Sequence, residues 1–361
     1  MWRSAFPLAA LAVAALLAAG CGGDDAVLPD EELADKIEEI NRTAPSVGLG
    51  EASPPAPESL RSGWKTDFSK HSVPFGEIRS GGPPKDGIPA IDEPSFETAL
   101  DVDWLADREP VIAVTVEGVT RGYPIQVLMW HEIVNDELQG RPLAVTFCPL
   151  CNTAIVFDRR LDGDVLDFGT TGNLRNSDLV MYDRQSESWW QQFSGEAIVG
   201  EHTGERLDQV AARIVAWQDF RTTHPESEVL SRGTGFARDY GRNPYTGYDD
   251  VDTPPFFGAD NADDDRLPPK ARVVYVEVGE QAIAVPFEAL ADGEPRTTDV
   301  DGRRVVVRWQ GGVASALDAD EIAAGRDVGT ATVTVDGEPA PFHEPFWFAV
   351  AAFRPDTRIV R

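Results

Sequence analysis

From about Ser72 onward Gly, Asp and Pro cut the chain into short β-like runs, and this punctuation restricts it to a fold built mainly from strands. Turn-rich Gly81 to Pro89 leads into runs at 111–116, 143–147, 153–157, 165–168 and 179–182, which favour the β-branched and aromatic residues that suit a pleated surface. One segment has helical spacing instead. Pro124 suits a first helical position, and Ile125, Leu128, Met129 and Ile133 recur on one face. A helix is therefore expected over 124–138, with Glu132 inside its apolar stripe.

The same order of elements recurs. Val111-Ile112-Ala113-Val114 aligns with Val273-Val274-Tyr275-Val276, Tyr123-Pro124-Ile125 with Val285-Pro286-Phe287, and Gly140-Arg141-Pro142 with Gly302-Arg303-Arg304. Ala154 to Asp158 aligns with Ala314 to Asp318. The expected fold class is α+β, mainly β: two weakly similar strand-helix-strand-strand units, 111–158 and 273–318, packed into one large domain spanning 72–361. The second unit has no cysteine where the first carries Phe147 to Asn152, so the cysteines there are an addition to the unit and not a requirement of it.

Ahead of this domain, Arg3 and the apolar run Ala5 to Ala19 read as a secretory signal, too short for a comfortable membrane span. Its end, Leu17-Ala18-Ala19-Gly20-Cys21, resembles a lipobox, so residues 1–21 are expected to be a signal peptide with Cys21 receiving a lipid. The alternative is an ordinary cleaved signal. Residues 22–71 read as a flexible acidic tether, placing the domain on the extracytoplasmic face of the cell envelope with the lipid as its contact to the membrane. The 61 acidic against 32 basic side chains give a net charge of −29, which repels a phosphate backbone and argues against nucleic acid as a partner.

Only three cysteines are present, and two of them form Cys148-Pro149-Leu150-Cys151 between two β-like runs. A disulfide closing so short a loop removes little unfolded-state entropy, so chemistry is favoured over an inert staple in an envelope scaffold. A closed zinc site needs two more ligands and no second pair exists. The leading expectation is thus a thiol-based oxidoreductase without cofactor, its thiolate attacking a small-molecule or protein disulfide, peroxide or other oxidant. His131 and Glu132, on the preceding helix, are candidates for tuning protonation, although Glu132 is as well explained by an ion pair with an arginine. The alternative is a non-enzymatic envelope protein holding a copper or zinc ion through Cys148, Cys151 and His131, with Met181 as a further soft donor. Gly169 to Asp178 reads as a connection between strands, and Asn173 and Arg175 within it, with Asp183 and Trp190, are candidate substrate contacts.

Gly81 to Ile91, Trp130-His131-Glu132-Ile133-Val134-Asn135-Asp136, Thr146 to Cys151, Met181-Tyr182-Asp183-Arg184, Ser188-Trp189-Trp190 and Phe346-Trp347-Phe348-Ala349 together resemble the DUF3179 family, over roughly residues 72–361. The family name carries no established reaction. Some similar proteins carry selenocysteine in the motif matching Cys148 to Cys151, which implies a redox role there.

Overall fold

The computed structural model describes residues 55–361. Strands make up 39% and helices 11%, so the protein is mainly β, with several sheets in a propeller-like arrangement and short helices at their joints. The expected signal peptide, Cys21 and most of the expected tether lie outside the described residues.

The first repeat unit opens with β1 (Pro110–Val116) and β2 (Val119–Pro124), an antiparallel hairpin, followed by α1 (Ile125–His131). A second hairpin follows, β3 (Ile133–Leu138) and β4 (Arg141–Cys148), and then β5 (Thr153–Asp158), which pairs with β4. The helix is half as long as the spacing predicts. Glu132 takes φ 58°, which ends α1, and the residues beyond it zip onto Arg141–Cys148 as a strand. A short apolar run satisfies both periods, and here cross-strand pairing of Ile133 and Val134 wins.

The inserted five-stranded sheet comes next in the chain. Its strands include β6 (Phe168–Arg175), β7 (Asp178–Asp183) and β8 (Trp189–Gln191). The stretch expected as a connection between strands is therefore largely strand, and only Asn176 and Ser177 turn, both with φ 54°. The unit then closes with β9 (Ala212–Ala216) along β1, α2 (Trp217–Thr223), and β10 (Glu228–Leu230), which lies parallel to β2.

The second unit repeats this plan more completely than the sequence alignment implies. β11 (Val273–Val278), β12 (Gln281–Pro286), α3 (Phe287–Leu290), β13 (Arg296–Val300) and β14 (Arg303–Gln310) follow in the same order. Both second hairpins close through two-residue turns with positive φ, Gln139-Gly140 and Asp301-Gly302, the geometry that matches strand twist. Ala314 to Asp318 is not the counterpart of β5. That place beside β14 is taken by β15 (Thr330–Val335), so the second unit runs beyond residue 318. The counterpart of β9 is the segment 343–346, bridged to β11 at Tyr275–His343 and Arg272–Phe346, in the register of Ala113–Arg213 and Pro110–Ala216. After it come α4 (Trp347–Phe353) and β16 (Arg358–Ile359), the latter parallel to β12 as β10 is to β2.

The fold also begins earlier than expected. Ala56 and Leu60 are buried in one cluster with Val73, Phe75 and Trp189, and the ring of Trp64 stands edge-on to Trp189 at 5.0 Å. The last part of the stretch assigned to the tether, 22–71, is thus packed chain, because its apolar residues find an aromatic face to cover.

Candidate functional site

Cys148 ends β4 and Cys151 lies in the turn before β5, both as free thiols and both buried. The turn is clasped from the second repeat unit. The Phe346 N–H donates to the Cys151 carbonyl at 2.9 Å, and the Asn152 side-chain amide donates to the Glu344 carbonyl at 2.7 Å. The second unit, although it lacks cysteines, thereby fixes the backbone of the pair.

Asp178, at the start of β7, brings a carboxylate to the sulfurs. Cys148 Sγ, Cys151 Sγ and a carboxylate oxygen of Asp178 all lie within 4.8 Å of one another. The Cys151 thiol donates to Asp178 Oδ1 at 2.8 Å, while Oδ2 accepts from Gln191 Nε2 at 2.6 Å and from the Phe193 N–H at 2.9 Å. The Thr153 hydroxyl stands 2.8 Å from Cys151 Sγ and donates to Gln192 Oε1 at 2.7 Å, and Gln192 Nε2 donates to Thr146 Oγ1. Thr153 has one proton and spends it on Gln192, so the single Cys151 S–H serves one of two close oxygens. A proton on Asp178 relieves the shortage, in line with its carboxyl being pushed up to about 6 by burial.

Glu132 sits beside this group through the backbone, its carbonyl accepting the Phe147 N–H at 2.8 Å. It is 7% exposed, and its carboxylate has no hydrogen bond or ion pair among the described residues. Burial first, and then the charge of Asp178, push it up to about 8. The expected arginine partner is not there. Burial likewise raises the thiols of Cys148 and Cys151, and the neighbouring acids add to the effect. Two thiols and two carboxyls thus lie buried and within electrostatic reach of one another, each pushed toward its protonated form relative to a free side chain.

The other expected site residues lie elsewhere. His131 is not among the donors that converge with the sulfurs: Nδ1 meets the Pro89 carbonyl and Nε2 the Tyr240 hydroxyl, each at 2.7 Å, and burial holds it down at about 4. The ligand group set by the fold contains Asp178 in place of His131. Asp183 accepts from Trp190 Nε1 at 3.0 Å and caps the turn at Ser186, so both residues are committed to the inserted sheet. Asn173 pairs with Ser80 at the edge of that sheet, and Met181 pairs with Trp190 within it. Arg175 reaches the site at one remove, bound to Glu77 at 2.8 Å and contacting Gln191 Oε1 at 3.5 Å.

Asp178, Gln191 and Gln192 were legible only as polar residues bordering strands. Tyr245 and Tyr248, from the segment joining the two units, were not singled out at all. Both are buried, and the charges of Cys148 and Glu132 act on Tyr245 and those of Cys148 and Cys151 on Tyr248. An Asp opening a strand whose next four residues, Leu179 to Tyr182, are apolar or aromatic was the one available signal.

Fold and site define a mainly β protein with a buried dithiol–carboxylate group where a duplicated unit, an inserted sheet and a connecting segment meet. The chain belongs to the DUF3179 family, described as proteins of unknown function, whose model matches residues 85–357. No curated protein and no solved structure matches it.

Proposed function

We propose that this is an envelope protein that binds a thiophilic divalent cation, zinc foremost, through Cys148, Cys151 and Asp178, and that it is held at the membrane by a lipid on Cys21. The carrying observation is the convergence of three donor atoms within 4.8 Å in a buried setting. Tetrahedral zinc has metal–ligand bonds of about 2.0–2.3 Å and hence ligand–ligand edges of about 3.3–3.8 Å, so shifts of no more than about 1.5 Å complete the arrangement. Charge selects the cation. Three anionic donors leave one net negative charge around a divalent ion and two around monovalent copper, and among the described residues no basic side chain is paired with Asp178 to absorb the second.

Elemental analysis of protein purified without chelator tests this. About one equivalent of metal per chain is expected, lost in the double variant Cys148→Ser, Cys151→Ser; a protein that takes up none even after incubation with zinc rejects the reading. Anchoring has its own test: Cys21→Ser is expected to move the protein from the membrane to the soluble fraction and to abolish labelling by radioactive palmitate. Unchanged fractionation rejects the anchor and leaves the metal site standing.

A second reading keeps the same sulfurs as a redox pair. It is favoured by the contact between Cys151 and Asp178, which places a proton acceptor on the thiol. With a peroxide as oxidant, two S–H bonds and the O–O bond break, an S–S bond forms, and an alcohol and water leave. Burial weighs against it by disfavouring the thiolate that must attack. Loss of two thiols together on mild peroxide treatment of metal-free protein, restored by reductant, is the result that would promote it.

A further inference from the structure

A tetrahedral cation held by three protein donors keeps one position for a ligand from outside, whereas a structural site closes all four. The ligand group here has three members. Glu132 is not a fourth, because its carboxylate falls outside the 4.8 Å cluster, yet its charge acts on Cys148 and it feels that of Asp178. Its backbone is held at φ 58°, ψ −31°, a conformation that is costly for an ordinary residue and that Gly would adopt more cheaply. Helix termination alone therefore does not account for a glutamate at this position.

A second polar group lies within electrostatic reach of the same sulfurs, since the charges of Cys148 and Cys151 act on the Tyr248 hydroxyl. The Tyr248 hydroxyl is buried without a partner among the described residues; the backbone N–H of Phe256 acts on it but falls short of hydrogen-bond geometry. The ring is fixed from behind by the Lys270 ammonium, which lies 3.8 Å from its centroid and donates to the Tyr248 carbonyl at 2.6 Å. One carboxyl and one hydroxyl, both on buried residues and both unpaired among the described residues, thus lie within electrostatic reach of the sulfurs.

We propose that the cation proposed above keeps an open fourth position for a small exogenous oxygen or nitrogen donor, water or a small anion, which Glu132 and the Tyr248 hydroxyl hydrogen-bond. This rests on the metal reading and adds to it a binding site for a third component. Cys148 and Cys151 are 1% and 0% exposed, so the third component has to be a small molecule.

Cobalt(II) is the probe, because its visible bands report coordination number and its near-ultraviolet bands report thiolate bonding. Cobalt added to the reduced, metal-free full chain is expected to give both sets of bands, and azide titrated into that complex is expected to shift the visible bands saturably. Glu132→Gln and Tyr248→Phe are each expected to change azide affinity by at least 5-fold while leaving cobalt uptake within 3-fold. Tyr248→Phe removes an unpaired buried hydroxyl, so its thermal midpoint should match or exceed the parent's, which excludes misfolding as the cause. Visible bands that ignore azide overturn the open position but leave the metal site intact. Absence of cobalt and zinc uptake overturns both, and uptake of copper(I) alone overturns the divalent assignment and the open position with it.

Discussion

Asp178→Asn is expected to melt within a few degrees of the parent while binding zinc at least ~100-fold more weakly, a loss of about 2.7 kcal/mol. The amide oxygen can replace Oδ2, which accepts from Gln191 Nε2 and the Phe193 N–H, so the inserted sheet keeps its hydrogen bonds. The amide nitrogen then faces Cys151, where it donates to sulfur and offers no electron pair to a cation. Removing an outer-sphere partner of a metal ligand typically costs 10- to 100-fold, so loss of the ligand itself should cost no less. Asp178→Ala is expected to behave differently. It leaves two buried donors unpaired at about 1–3 kcal/mol each, for a total of roughly 2–6 kcal/mol measured by urea unfolding. Equal zinc affinity in the parent and the Asn variant would remove Asp178 from the ligand set.

The contrast between these variants also explains what a reader of the sequence could find. The Cys-x-x-Cys turn was legible because a local spacing fixes it, and the flanking strands because Val, Ile and Phe dominate them. The duplication was legible at Pro124 and Pro286 and at Gly140 and Gly302, where backbone geometry dictates the residue. It was not legible at β9 and α2 against 343–346 and α4, since pairing register can persist when side chains change. Asp178 escaped for a related reason. It meets Cys151 across 27 residues and two sheets, and nothing local marks the contact. His131 misled because proximity in sequence to Glu132 implied a shared role, whereas its ring is committed to the Pro89 carbonyl and the Tyr240 hydroxyl and does not join the Cys148, Cys151 and Asp178 group.

The metal-free protein is expected to lose about 1.5 kcal/mol of stability between pH 6.5 and pH 8, and zinc is expected to reverse the trend. Glu132 is held up at about 8 in the fold against 4.5 in a free chain, so across this window the folded state keeps a proton that the unfolded state has released. More protons on the folded side make stability fall as pH rises, by about 1.4 kcal/mol per unit for one group. Other groups in the window largely offset one another. Asp178, at about 6, adds little; Glu344, at about 7, adds to the fall up to pH 8; and Lys270, held down at about 8, with His131 and His343, held at about 4 against 6.5 in a free chain, act in the opposite sense by a similar amount. Glu132→Gln should therefore flatten most of the slope in denaturant unfolding measured along the series. Zinc at 1,000 times its dissociation constant stabilises by about 4 kcal/mol, and because its ligands must shed protons, a fixed zinc concentration should stabilise more at pH 8 than at pH 6.5. Parallel slopes for the parent and Glu132→Gln would show that this carboxyl is not the buried, proton-holding group that its place beside Cys148 and Asp178 makes it.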